Sequence, residues 1–305
     1  MQTIKVRLRL FFELFLWSNY TNNIKILHNC SEIGVMVLET QMWREFLIPY
    51  QQAVQEMQIK FESIVNEYHK LSQYSPIEFV TVRVKKISSI LEKAKKKGIA
   101  LSDIENEIED IAGVRIICQF VEDIDKVVSL IKSRRDIMIK YEKDYVTNTK
   151  SSGYRSYHMI IYYDVHTALG EKRIQAEIQI RTLAMNFWAT IEHSLKYKYK
   201  HNIPMEIRNR LVAAAEAAHN LDNEMSKIRS EVLDAQDSFQ YKSGIIADIL
   251  NNVQNISSVA NDDLEIQHIQ DEFYRLWESG VIEELTEFNK RLDIVAETYR
   301  AQSLN

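Results

Sequence analysis

The sequence predicts a mixed α/β (α+β) fold: a mixed sheet of about five strands flanked by helices, then a helical C-terminal region. Three observations predict it. Short runs rich in β-branched and aromatic residues fall between residues 114 and 180, separated by a helical pattern. From Thr182 onward only the helical period is visible. The 305 residues include just 7 Gly and 3 Pro, which argues against a propeller, a collagen-like chain or a Pro-rich linker.

Each element has its own signal. Trp43, Phe46, Leu47, Tyr50, Val54, Met57, Phe61, Ile64 and Tyr68 recur every three or four positions, so 43–73 reads as an amphipathic helix. Pro49 falls near its expected start, where proline is tolerated. Ser75-Pro76 breaks the chain. Residues 83–97 read as a strongly basic helix, capped by Gly98. Strands are expected at 114–120, 138–146, 157–165 and 173–180, with a helix at 122–134 between the first two. Helices follow at 182–200, 205–240, 244–257 and 264–301.

Composition narrows the class. With 46% hydrophobic and 27% charged residues the chain is an ordinary folded protein, not a disordered one. Two cysteines, Cys30 and Cys118, exclude a disulfide framework or a multi-cysteine zinc site and point to a reducing cytoplasm. Net charge is −5, concentrated in 241–305, where 5 Lys/Arg stand against 12 Asp/Glu. A near-neutral body with locally basic surface suits a nucleotide enzyme and not a nucleic-acid coat. Lys5, Arg7 and Arg9 precede the apolar run Leu10 to Trp17, loosely imitating a signal peptide. No small-residue cleavage site follows, and the run is shorter than the ~20 residues of a membrane span. Residues 1–41 are therefore expected to be a dispensable leader or a mis-assigned start, with Met36 or Met42 as the natural beginning and no membrane attachment.

Four constellations carry candidate chemistry. Arg83, Lys85, Lys86, Ser89, Lys93 and Lys96 recur at helical spacing and make a surface suited to a polyphosphate, or simply a solvated basic helix. Asp110 to Arg115 ends a helix and opens a strand, a common place for a magnesium-binding carboxylate or for a plain turn aspartate. Gly153 to His158 is a glycine loop leading into a strand. It offers Tyr154 as a stacking surface and Arg155 and His158 to phosphates, or it is a hairpin turn with a core tyrosine. Glu177, Gln179 and Arg181 share one face of a strand whose other face is Ile178 and Ile180. Two separated carboxylates, a basic surface and a tyrosine loop together imply metal-assisted phosphoryl-type transfer. No P-loop, Rossmann glycine fingerprint, HExxH or GxSxG is present.

These stretches resemble the RelA/SpoT homologue family, specifically small alarmone synthetases of the RelQ type. The resemblance covers about 42–240. It rests on Ser75-Pro-Ile-Glu-Phe-Val-Thr81, Asp110-Ile-Ala-Gly-Val-Arg115, Gly153-Tyr-Arg-Ser-Tyr-His158, and the run from Glu177-Ile-Gln-Ile-Arg to Ile-Glu-His-Ser194. It implies a nucleotidyltransferase-like synthetase domain, cytoplasmic, that moves the β,γ-pyrophosphate of ATP to the 3′-hydroxyl of GDP or GTP in stringent-response signalling. Arg83 and Arg115 would then sandwich adenine, and Lys85, Ser89, Lys93 and Lys96 would hold the ATP phosphates. Asp110 and Glu177 would hold Mg2+, and Glu177 would help deprotonate the hydroxyl. Tyr154 would stack on guanine, while Lys143, Lys150, Arg155 and His158 line the acceptor phosphates and Gln179 and His193 support the site.

The resemblance also implies a homotetramer with a central cleft that binds product, through positions matched here by Glu78, Phe79, Thr81 and Asn186. Two basic positions of that cleft appear as Gln58 and Glu62, so weak activation by product is expected. Val82 replaces a usual glycine and Lys86 a usual proline. No His-Asp dipeptide of the hydrolase domain occurs and no room precedes residue 42, so synthesis alone is expected. The acidic extension 241–305 has no counterpart in the resemblance; Phe273, Leu276, Trp277 and Ile282 suggest that it packs or binds a partner. Two other readings stay open: transfer to another acceptor, an adenine nucleotide or a tRNA 3′ end, or a nucleotide- or single-stranded-RNA-binding module with weak catalysis.

Overall fold

The computed structural model describes residues 27–168, 170–198, 204–259 and 263–303, with side chains from Gln41 onward except at 197, 198, 259, 263, 265 and 299–303. The leader expected at 1–41 falls mostly on residues 1–26, outside the described residues. The chain divides into two compact units, Met1–Ser226 and Lys227–Asn305.

The first unit opens with helix α1 (Leu27–Lys70). Its start is earlier than the apolar spacing predicts, so Pro49 sits in the helix interior rather than near the start. A proline there has no N–H to donate, and α1 continues through the missing bond. Tyr50, Met57 and Phe61 are fully buried; each such side chain contributes about 1.5–3 kcal/mol. Strand β1 (Phe79–Val84) follows, then α2 (Ile87–Lys97), a 3-10 turn (Leu101–Asp103) and the short α3 (Ile104–Glu107). Strand β2 (Ala112–Cys118), α4 (Val121–Ser133), β3 (Met138–Asp144), β4 (Tyr157–Thr167), β5 (Gly170–Thr182) and α5 (Leu183–Lys198) complete the order before the long α6 (Met205–Val259).

The five strands form one sheet in the order β1-β2-β5-β4-β3. Only the β2–β5 pair is parallel. Val114, Ile116, Ile178 and Ile180 pack into the main core, with Ile90 of α2 and Ile124, Val127 and Ile131 of α4.

One strand corrects the sequence reading. Arg83 is on β1, and helix begins only at Ile87, so Arg83, Lys86 and Ser89 do not share a helical face. The alternation Val80, Val82, Val84 carried the strand signal, and the charge run beyond it masked it. Both departures at this corner are free of strain. Val82 lies in regular strand, and Ser72 is the one non-glycine at positive φ among the described residues. Lys86 caps α2 at φ −61°, the angle a proline ring would impose. Gly98 ends α2 at φ 67° with its N–H on the last carbonyls, as expected.

The second unit has a core of its own. Ile245, Ile249 and Ile256 of α6 pack with Phe273 of α7 (Asp263–Ser279) and Leu285, Phe288 and Leu292 of α8 (Ile282–Ser303). Leu276 and Ile282 pack against it, while Trp277 is half exposed.

Candidate active site

Residues paired directly across a sheet point to the same side. Strand register therefore assembles the site. Arg115 of β2 pairs with Gln179 of β5, Gln179 with His158 of β4, and His158 with Lys143 of β3. One step along, Arg83 pairs with Gly113 and Gly113 with Glu177. A Cβ on Gly113 would touch Arg83 Cγ at 3.4 Å, so the bare backbone of Gly113 leaves the bed on which the Arg83 side chain lies.

Asp110 sits between α3 and β2. Lys85, at the end of β1, donates to its Oδ2 at 2.6 Å, and Lys93, from α2, to its Oδ1 at 2.8 Å. Burial by itself would raise the Asp110 carboxyl, but the two lysines outweigh it and hold the group below the usual carboxylate range. The adjacent Glu109 takes Lys140 at 2.7 Å and the Tyr141 hydroxyl. Arg115 donates to Gln179 at 3.3 Å. Burial, then the like charges of Arg83 and Arg181, push its guanidinium pKa down.

A hydrogen-bond chain links the tyrosine loop to the second carboxylate. Arg181 donates to the Tyr154 hydroxyl oxygen at 2.6 Å, and that hydroxyl is 2.7 Å from His158 Nε2. His158 Nδ1 is 2.8 Å from Glu177 Oε1. Both ring nitrogens of His158 are thus engaged, one by Tyr154 and one by Glu177. Gln179 donates to the other Glu177 oxygen at 2.8 Å. Burial raises the Glu177 carboxyl and the Asp110 charge adds to that, but His158 and Gln179 prevail and its pKa is lowered.

Other expected residues are less converged. Lys150 lies over the rings of Tyr145 and Tyr154, at 4.1 and 4.9 Å from their centroids, and Lys143 over Tyr141 at 4.8 Å. The Arg155 guanidinium turns toward α6 and pairs with Glu216 at 3.0 Å. Ser89 is half-buried in the first turn of α2, Lys96 is exposed on α2, and His193 is exposed on α5. Of the residues matched to the product cleft, Phe79 and Thr81 lie two apart on β1, Glu78 accepts from Gln119 at 2.6 Å, and Asn186 is half-buried on α5.

Sequence reasoning gave no role to Arg181, Trp188 or Asp222. Arg181 had a visible signal, the polar face of β5. Trp188 and Asp222 meet the site only through tertiary packing: Trp188 packs near Tyr154, with ring centroids 6.5 Å apart, and Asp222 accepts from Thr182 at 2.7 Å.

Among the described residues no three His, Cys, Asp or Glu side chains cluster to hold a metal by themselves. Two ionised, half-buried carboxylates, Asp110 and Glu177, do match magnesium, which binds one or two protein carboxylates and completes its shell with water and substrate phosphates.

Residues 82–202 match the model of the region found in RelA and SpoT proteins. The chain is 52% identical over 205 residues to GTP pyrophosphokinase YjbM of Bacillus subtilis, covering 67% of this chain and 97% of that protein. It is 42% identical to GTP pyrophosphokinase YwaC of the same organism, covering 62% and 91%. The fold matches the crystal structure of small alarmone synthetase 1 from Bacillus subtilis bound to its product pppGpp, with TM-score 0.61, 54% identity, and coverage of 63% of this chain and 98% of that one. A GTP pyrophosphokinase family protein from Streptococcus pneumoniae matches equally, with TM-score 0.61, 54% identity, and coverage of 64% and 96%. With nearly the whole length of these relatives contained in it, the chain belongs to the RelA/SpoT family, alongside the small alarmone synthetases.

Proposed function

We propose that this protein is a GTP pyrophosphokinase: it moves the β,γ-pyrophosphate of ATP to the 3′-hydroxyl of GDP or GTP, forming ppGpp or pppGpp and AMP. The observation that carries this is the pair of ionised carboxylates, Asp110 and Glu177, set among Lys85, Lys93, Arg83, Arg115 and Arg181. A polyanion and a nucleophilic oxygen must meet there, and preset cations screen their repulsion.

Arg83 and Arg115 offer guanidinium planes to adenine, with Lys85, Ser89, Lys93 and Lys96 on the phosphate side. Tyr154 supports the guanine base, and His158, Lys143 and Lys150 face the acceptor phosphates. The 3′-oxygen attacks the β-phosphorus. The α,β-phosphoanhydride bond breaks, and AMP leaves with the electron pair. The hydroxyl proton goes to the Glu177 carboxylate, which Gln179 and His158 keep ionised and aimed. Asp110 and Glu177 are the residues that would hold Mg2+, which supplies charge neutralisation on the transferred phosphates. The homotetramer, the cytoplasmic setting and the product cleft at Glu78, Phe79, Thr81 and Asn186 belong to the same proposal. Among the described residues no helix is long and apolar enough to cross a membrane.

The test is incubation with γ-labelled ATP and, separately, GDP, GTP, ATP as acceptor, or tRNA, followed by separation of products. Label in ppGpp or pppGpp with matching AMP is expected. Label on an adenine nucleotide or an RNA end, with none on guanine nucleotides, overturns the acceptor assignment.

A further inference from the structure

The loop that carries Tyr154 rests directly on α6. Gly153 has φ 82°, and a Cβ there would fall 2.4 Å from Ala215 Cβ. The backbone of the loop and the side of the helix are therefore in contact, with room for neither to approach further. Trp188 and Ala189 of α5 and Ala215 form a small buried cluster against which Tyr154 packs, and Trp188 Nε1 donates to Leu211 O at 2.9 Å. Arg155 completes the joint: NH2 meets Glu216 at 3.0 Å and NH1 meets Ala215 O at 3.4 Å. Its side chain is 11% exposed, and its buried Nε has no hydrogen-bond partner. A guanidinium so enclosed gains its orientation from the helix, and a buried cation is costly to strand when the carboxylate it is hydrogen-bonded to is removed.

We propose that residues 211–222 of α6 are the back wall of the acceptor subsite, and that Arg155 and Glu216 are positioning residues that set Tyr154 for a purine nucleotide. This rests on the reading of Tyr154 as the acceptor platform. Arg155 then acts through the loop, not on the acceptor phosphates. The two roles differ in what Glu216 does. If Arg155 bound phosphate, Glu216 would compete with the ligand, and its removal would tighten binding. If the pair holds the loop, removing either partner loosens the platform, and removing both costs no more than one.

The experiment measures GTP binding calorimetrically for the full chain and for Arg155→Gln, Glu216→Gln and the double variant, with Tm as a fold check. A non-hydrolysable ATP analogue is titrated in parallel. Each single variant should weaken GTP binding by roughly threefold to tenfold, as expected for a partly exposed charged hydrogen bond. The double variant should match the singles, and the ATP analogue should bind unchanged. Ala215→Val, a wedge under Gly153, should weaken GTP in the same selective way. Tighter or unchanged GTP binding in Glu216→Gln, additive losses in the double variant, equal losses for the ATP analogue, or no GTP binding by the wild-type chain would each overturn the proposal. A wild-type chain that binds GTP but forms no labelled product would defeat the pyrophosphokinase assignment and leave this one standing.

Discussion

His158 Nδ1 and Glu177 Oε1 stand 2.8 Å apart on neighbouring antiparallel strands, β4 and β5. That contact ties the loop of Tyr154 to the carboxylate proposed to face the reacting hydroxyl. Glu177→Gln keeps the shape and the hydrogen bond to His158 but removes the charge and the proton acceptor. Transfer should fall by roughly a hundredfold or more, the range of general-base loss, with Tm near the wild-type value. Near-normal turnover in product assays would refute the role of Glu177.

Tyr154→Ala removes the stacking surface and leaves the cations around Asp110 in place. Base stacking contributes about 1–3 kcal/mol, so the acceptor KM should rise roughly fivefold to a hundredfold. The KM for ATP should not move. Steady-state kinetics with each substrate varied in turn checks this, and an unchanged acceptor KM removes Tyr154 from the subsite.

Burial of Asp222 raises its carboxyl to about 6, against the opposing hydrogen bond from Thr182 and the charge of Arg155. The folded value lies above the unfolded one near 3.8. Its contribution to stability is therefore fully present below about pH 4 and is lost as pH rises through about 6. The linkage amounts to roughly 3 kcal/mol at most. Asp222→Asn keeps an acceptor for Thr182 and has no charge to bury. Between pH 4 and 7 the Tm of the wild type should decline relative to that of the variant. Parallel curves would show that Asp222 ionises without cost.

Gln58 donates to Glu62 at 2.7 Å, so the two positions face the same side of α1 and carry net negative charge there. A phosphate-rich effector at the proposed product cleft would meet repulsion there instead of attraction. Added pppGpp should leave initial rates unstimulated, and Gln58→Lys with Glu62→Lys should confer stimulation. Strong activation of the wild type at low product concentration would contradict this reading.

Deleting 241–305 should spare transfer. Every residue assigned to either substrate lies before residue 200, and Ala215 and Glu216 also remain. Loss of turnover in a folded truncation, judged by Tm and by ATP-analogue binding, would give the extension a part in the chemistry.

The sequence by itself determined four of the five strands and the polar face of β5. A period of two along Glu177, Gln179 and Arg181 is a local property, because successive strand side chains alternate whatever surrounds them. Gly98 as a helix stop was legible for the same reason: it follows from backbone sterics at one residue. Within the run 83–97 only 83–86 were misread, because charge and helical spacing there outweighed the end of a strand in which Val80, Val82 and Val84 alternate. What only the tertiary structure decided is which residues meet. The row Arg115, Gln179, His158, Lys143 exists because β5 pairs parallel with β2 and antiparallel with β4, a register fixed by burial of the opposite face. Lys85 and Lys93 reach one carboxylate from two different elements. Arg155 turns to Glu216, 61 positions away, because α6 lies against its loop. No local pattern encodes such a contact, since it depends on the packing of residues 212–216 of α6 against the Gly153 loop and not on the spacing of neighbours along the chain.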